Sequence, residues 1–118
     1  MTEQELKHRI KNALIILQDN GSFKVGELTF NTTDKKSFSV TGWTLKTELK
    51  KVTKRSALNE LNEIKSHFKK MVQASPELSV FVDQRQIEFN LGYDYGMGGI
   101  GICSEIDGQI KWETEIKE

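Results

Sequence analysis

The chain of 118 residues carries 17 Lys and Arg against 17 Asp and Glu, and its hydrophobic fraction is 36%. This length and composition predict one soluble domain over residues 1–118 that buries a core without disulfides or metal. A single cysteine, Cys103, excludes an internal disulfide framework and is typical of a reducing compartment. No apolar run approaches the roughly 20 residues that span a bilayer, and the acidic start after Met1 is unlike a signal peptide. We therefore expect a cytoplasmic protein that does not enter the membrane.

The charges are unevenly distributed along the chain although the net charge is zero. Residues 1–75 hold 14 basic and 8 acidic side chains, a net of +6, whereas residues 76–118 hold 3 basic and 9 acidic ones, a net of −6. Such asymmetry is typical either of a surface for a charged partner or of two halves that neutralise each other in the fold.

The N-terminal segment predicts a helix over about Glu3 to Asp19. Thr2 and Glu5 have the spacing of a capping box, in which the Thr2 hydroxyl accepts a hydrogen bond from the Glu5 amide. Apolar residues then recur at helical spacing, and Asn20-Gly21 provides the left-handed residue that ends many helices.

Two alternating runs follow this helix. Phe23 to Asn31 alternates weakly, with an irregular step at Gly26, and Ser37 to Trp43 alternates cleanly. Together they predict a hairpin. Residues 45–53 fit either an extension of the second strand or the start of a helix, and the sequence leaves both possibilities open.

A second helix is predicted from Lys54 to Ala74, because six apolar residues form one stripe at helical spacing. Ser75-Pro76 ends it, since the residue before a proline is pushed out of helical geometry. Leu78 to Val82 then predicts a short strand. The stripe consists of Leu58, Leu61, Ile64, Phe68, Met71 and Val72.

The last third of the chain predicts a meander of strands. Residues 87–91 alternate, a Gly-rich loop follows, and Asp107-Gly108 is a two-residue hairpin turn before a return strand over 110–116. In the strand after the loop, alternation places Ile100, Ile102, Ser104 and Ile106 on one face. The order of elements predicts an α+β fold in which two helices pack on a mainly antiparallel sheet of about five to six strands.

The sequence contains no catalytic or metal-binding signature. His8, His67 and Cys103 do not have zinc-site spacing, and the glycines of residues 96–101 lack the spacing of a nucleotide loop and precede a strand. We therefore expect no catalytic residue, no cofactor and no metal. Two alternatives stay open: a small hydrolase that uses the carboxylates of Asp94 and Glu105, and a nucleic-acid-binding module that uses the Lys-rich segment 46–55.

A binding function fits the loop and its surroundings better. Tyrosine and methionine side chains provide contact area in protein interfaces, and acidic side chains around them suit a basic partner. The predicted partner-binding residues are Tyr93, Asp94, Tyr95, Met97, Glu105 and Asp107.

The stretch YDYGMGGIGICSEIDGQIKWE, residues 93–113, resembles small bacterial immunity proteins that neutralise polymorphic or contact-dependent growth-inhibition toxins. The resemblance implies a single α+β domain that is not an enzyme and that binds the C-terminal domain of a cognate toxin in the cytoplasm. The positions that it singles out are Tyr93, Asp94, Tyr95 and Met97.

Overall fold

A computed structural model of the protein describes residues 2–17, 21–32, 36–44, 48–94, 96 and 98–116. None of the described helices is long and apolar enough to cross a membrane. A short 3₁₀ turn covers Leu49–Lys51. The other elements are α1 (Glu3–Leu17), β1 (Ser22–Val25), β2 (Leu28–Asn31), β3 (Ser37–Trp43), α2 (Lys54–Ala74), α3 (Pro76–Asp83), β4 (Gln86–Asp94), β5 (Gly99–Ile106) and β6 (Gln109–Trp112).

The six strands form one sheet in the order β1-β2-β3-β4-β5-β6. All neighbouring pairs are antiparallel except β3 and β4, which run parallel. A parallel pair needs a connection that returns the chain to the same end of the sheet, and α2 and α3 provide it. The predicted α+β class is confirmed, and the sheet is mixed because of this one crossover.

The core lies between the helices and one face of the sheet. Its centre is a cluster of aromatic rings from three strands and two helices, with neighbouring ring centroids 5.3–5.8 Å apart. The other face, called here the open face, carries mainly small polar side chains that stay partly accessible. The aromatic cluster consists of Phe30, Phe38, Phe68, Phe81 and Phe89.

Helices α1 and α2 form where the sequence predicts them. The Glu5 amide donates to the Thr2 hydroxyl at 3.1 Å, as the capping pattern predicts. Helix α2 has the predicted bounds and begins with a second capping box, between Thr53 and Ser56. The predicted end of α1 at Asp19 and the first part of the ambiguous segment, residues 45–47, lie outside the described residues.

The predicted strand over Leu78 to Val82 is wrong, because this segment belongs to the third helix, α3. Ser75 ends α2 and caps α3, with its hydroxyl accepting a hydrogen bond from the Leu78 amide at 3.2 Å. Pro76 occupies the first turn, where a missing N–H costs nothing. Capping therefore outweighs the β propensity of the apolar residues, and the described helices number three rather than two.

The predicted common face of Ile100, Ile102, Ser104 and Ile106 is also wrong, because β5 contains a bulge. Leu91 pairs with Cys103 and Gly92 pairs with Gly101, which leaves Ile102 as an extra residue. Ile102 and Cys103 are both fully buried. After the bulge the alternation is inverted, so that Ser104 lies opposite Asn90 on the open face.

The hairpins differ in detail from the predicted ones. Phe23 to Asn31 is itself a hairpin of β1 and β2, turning at Gly26 with a positive φ of 61°. The predicted antiparallel pairing with the next run is confirmed between β2 and β3. The Asp107-Gly108 turn is confirmed, with φ values of 51° and 81°. The return strand is shorter than predicted and ends at Trp112.

We expect Phe68→Ala to lower the free energy of unfolding by about 3–5 kcal/mol, because it removes the ring that contacts three other aromatic rings. Urea denaturation measures the change. Val80→Ala is the matched control, since Val80 is 62% exposed, and we expect it to change stability by less than about 0.5 kcal/mol. A loss below about 1 kcal/mol for Phe68→Ala would contradict the placement of the core.

Candidate functional site

The Gly-rich loop connects β4 to β5 at one end of the sheet. Asp94 ends β4, and its carboxylate accepts a hydrogen bond from the Gly96 amide at 2.8 Å. Gly96 has a φ of 92°, which a side chain would strain, so the loop needs glycine at this position. Tyr93 is half-buried and packs against the core, whereas Asp94 is exposed. Tyr95 and Met97 lie outside the described residues.

The other two predicted binding residues lie elsewhere. The Glu105 side chain is 11% exposed and forms an ion pair with Lys65 of α2 at 2.6 Å. Asp107 is in the β5–β6 turn, where its carboxylate accepts from the Gln86 amide group at 3.0 Å. Asp94 pairs with Gly99, but the turn follows the pairing of Glu88 with Ile106, six residues or about 20 Å along the strand. Among the described residues of the predicted set, the structure therefore separates Glu105 and Asp107 from Asp94.

A tryptophan that the sequence placed only in a strand occupies the loop end of the sheet. Trp43, the last residue of β3, is 45% exposed. Its ring lies over two glycines, so close that an added Cβ would come within 2.6 Å of it at Gly92 and 2.5 Å at Gly99. The exposed indole therefore packs directly on the backbone of the two strands, which is possible only because both positions are glycine.

The backbone beyond Trp43 is anchored on two sides. The Thr44 amide donates to the Gly92 carbonyl at 2.8 Å, which extends the β3–β4 pairing by one step. The Thr44 hydroxyl donates to the Glu60 carboxylate of α2, with oxygen–oxygen distances of 2.9 and 2.7 Å. These bonds tie the end of β3 to both the sheet and the helix layer.

A cleft of about 350 Å³ lies at the loop end of the sheet and is lined by the end of β3 and by α2. Trp43 and Thr44 line one side of it, and Ile64 and His67 line the other. Its other charged residues make the cleft negative, because four carboxylates face one lysine. We call it the acidic cleft, and its charged residues are Lys24, Glu27, Glu60, Glu63 and Asp94.

The geometry gives little support to a carboxylate pair at Asp94 and Glu105. Asp94 pairs with Gly99, and Glu105 pairs with Phe89, five residues or about 17 Å along β4. Paired carboxylates in glycosidases lie roughly 5 to 10 Å apart. Among the described residues, no group of three or more His, Cys, Asp or Glu side chains is arranged to hold a metal ion.

Cys103 is buried in the sheet, with 1% of its surface exposed. Burial, and to a smaller extent the charges of Glu105 and Glu60, raise the pKa of its thiol to about 11. A thiol that stays protonated at neutral pH is a poor nucleophile. This cysteine is therefore an unreactive core residue.

The described part of the Lys-rich segment is partly neutralised. Lys50 and Lys51 lie 3.3 and 3.9 Å from carboxylate oxygens of Glu48. The Lys54 ammonium lies over the Trp112 ring at 5.6 Å from its centroid. Lys46 and Thr47 lie outside the described residues. The lysines that are described do not form a free cationic stripe.

The sequence analysis does not identify Trp43 or His67 as site residues, and one signal points to Trp43. Gly92 and Gly99 sit within strands, where glycine marks a bulge or a close approach by another group. The group that approaches is the Trp43 ring.

Comparison of the chain with protein-family models, with curated proteins and with solved structures finds no match.

We expect Gly92→Ala to displace the Trp43 ring and to destabilise the protein by about 1–3 kcal/mol, because the new methyl group needs the space that the ring occupies. Tryptophan fluorescence and urea denaturation measure the two effects. In a Trp43→Ala background the same substitution should cost much less. Gly101→Ala is the matched control, since its Cβ meets only the flexible Glu113 side chain, at 3.3 Å. An equal loss of stability in both backgrounds would contradict the placement of the Trp43 ring over Gly92.

We expect the buried thiol to make stability fall at alkaline pH. The Cys103 pKa rises from 9.0 to about 11 on folding, so the folded state holds the proton more tightly than the unfolded state. The stability that this provides is complete below about pH 9 and is lost as the pH rises through about 11. Urea denaturation across this range should show a steeper decline for the natural protein than for Cys103→Ala. If the stability of both proteins declines equally with pH, the raised pKa of Cys103 is contradicted.

Proposed function

We propose that the protein is a non-enzymatic immunity protein that binds a cognate bacterial toxin domain in the cytoplasm and blocks its active site. The observation that carries this proposal is the exposed indole of Trp43, held on Gly92 and Gly99 at the loop end of the sheet. Buried tryptophans are among the side chains that contribute most to binding energy in protein interfaces. The proposal also draws on the resemblance of residues 93–113 to immunity proteins.

The fixed position of Trp43 favours binding. A side chain that is ordered before the partner arrives loses little conformational entropy in the complex. Here the ring is wedged over two glycines, and the Thr44 hydroxyl and amide hold the adjacent backbone. The partner would therefore meet a preformed aromatic surface.

The charge around Trp43 favours a basic partner. The acidic cleft is lined by Trp43 together with four carboxylates, with Lys24 as its one lysine among the described residues. Complementary charge speeds the capture of a partner and selects against acidic proteins. The surface of the toxin domain that meets the cleft would then be rich in lysine or arginine.

The proposed contact surface keeps part of the one predicted from the sequence. Asp94 is exposed and lines the acidic cleft with Trp43. Tyr95 and Met97 stay in the proposal by their place in the chain, between Asp94 and β5. Glu105 and Asp107 leave it, because one is paired with α2 and the other is about 20 Å away along the sheet.

The first test looks for a toxin gene beside this one and pulls down the C-terminal domain that such a gene encodes, followed by calorimetry and a growth-rescue assay. We expect tight one-to-one binding and rescue of growth by the natural protein. Failure of both would refute the immunity proposal.

We expect Trp43→Ala to weaken binding of that domain at least about 30-fold, because it removes the central aromatic contact. Calorimetry measures the change. Ile15→Ala is the matched control: Ile15 is an apolar side chain of α1 that is 62% exposed, and its removal should leave affinity unchanged. If Trp43→Ala binds as tightly as Ile15→Ala, the toxin does not use this surface.

A further inference from the structure

A second depression lies beside Trp43, on the open face of the sheet. This groove encloses about 540 Å³ and shares Trp43 and Leu91 with the lining of the acidic cleft. Gly92, Gly99 and Gly101 line it, so the open face carries no side chain at these three positions. The groove exists because three glycines lie together on neighbouring strands, next to an aromatic ring.

Polar groups line the groove at one strand step from the indole. Thr41 and Asn90 are neighbours across the β3–β4 pairing, two residues before Trp43 and Gly92. Neither side chain has a hydrogen-bond partner among the described residues, although both are half-buried. The Asn90 carboxamide therefore offers two donors and an acceptor to a ligand.

The opposite wall adds a carboxylate and a hydroxyl. Glu113 has a side chain that is 41% exposed, and it accepts a hydrogen bond from the Ser104 hydroxyl at 3.4 Å. The Thr114 hydroxyl donates to the Gly101 carbonyl at 2.7 Å, which leaves its oxygen free to accept. A shallow site with one aromatic ring and several polar groups around it can orient a small polar ligand.

We propose that this groove binds a neutral pyranose sugar. The C–H face of a sugar ring carries a partial positive charge and packs against the electron-rich face of an indole. Its hydroxyls both donate and accept hydrogen bonds, as the carboxamide of Asn90 and the carboxylate of Glu113 require. This binding goes beyond the proposed toxin neutralisation and needs no protein partner.

The same features disfavour other small ligands. Glu113 lines the groove, and its charge, which the exposed Lys111 ammonium 4.0 Å away offsets only in part, disfavours phosphorylated or carboxylated ligands. A nucleobase binds best between two flat groups, and Trp43 is the one aromatic side chain among the described residues that line the groove. A sugar needs a stacking partner on one face only.

Nuclear magnetic resonance of the full chain labelled with ¹⁵N tests the proposal directly. The probes are methyl β-D-glucopyranoside, methyl β-D-galactopyranoside and N-acetyl-D-glucosamine, each titrated to saturation. The protein has two indole N–H signals, from Trp43 and Trp112. We expect a saturable, millimolar shift of the Trp43 signal with at least one sugar. Trp112 does not line the groove, and its ring lies under Lys54 of α2, so its signal should move less than that of Trp43.

Two variants assign the binding to the groove. Asn90→Ala should raise the dissociation constant about tenfold by removing hydrogen bonds to the sugar hydroxyls. Ser39→Ala, on the same open face but two residues further from Trp43 than the Thr41–Asn90 pair, should leave it unchanged. Three results would overturn the proposal: no saturable shift with any of the sugars, a lower dissociation constant for adenosine than for every sugar, or equal affinity for the two variants. None of these results depends on whether a toxin binds.

Discussion

The parallel pairing of β3 with β4 is the constraint on which the rest of this structure depends. It requires a crossover, and the crossover is α2 followed by α3, which places these helices on one face of the sheet. That arrangement buries the aromatic cluster on the helix side and leaves small polar residues on the other. The same pairing sets Trp43 beside Gly92. The exposed indole and its seat are thus consequences of a long-range contact.

The charge asymmetry of the sequence has a mixed outcome in the fold. Lys65 and Glu105 come from the basic and acidic halves and neutralise each other at 2.6 Å, where α2 packs on β5. The acidic cleft, however, takes three of its carboxylates from the basic half and only Asp94 from the acidic half. The difference in net charge between residues 1–75 and 76–118 is therefore consistent with the ion pair between the helices and the sheet. It does not predict where the acidic cleft lies.

Local signals predicted the elements that local interactions stabilise. The apolar stripe of α2 and the Asp107-Gly108 turn follow from spacing and turn chemistry within a few residues. Helix α3 is not predicted, because the short run Leu78 to Val82 with its four apolar residues fits a strand as well as a helix, and Ser75 is interpreted only as the end of α2 and not also as the cap of α3. The bulge at Ile102 is likewise invisible until the partner strand is known.

The site was harder to predict than the fold, for a physical reason. Whether an aromatic residue is core or contact surface depends on what lies beneath it, and Trp43 rests on glycines from two other strands. Of the predicted binding residues next to the loop, Tyr93 and Asp94 both belong to β4, and only Asp94 is exposed. Glu105 was grouped with them because strand alternation alone does not show that α2 covers its side chain.

The measurement that tests the central claim most directly is chemical-shift mapping of the toxin domain on the ¹⁵N-labelled protein. If Trp43 and the acidic cleft form the contact surface, the largest shifts and line broadening will centre on the Trp43 indole, Gly92 and Asp94. The exposed surfaces of α1 and α3 will remain unperturbed. Perturbations centred on those helices, with the Trp43 indole unchanged, would contradict the account.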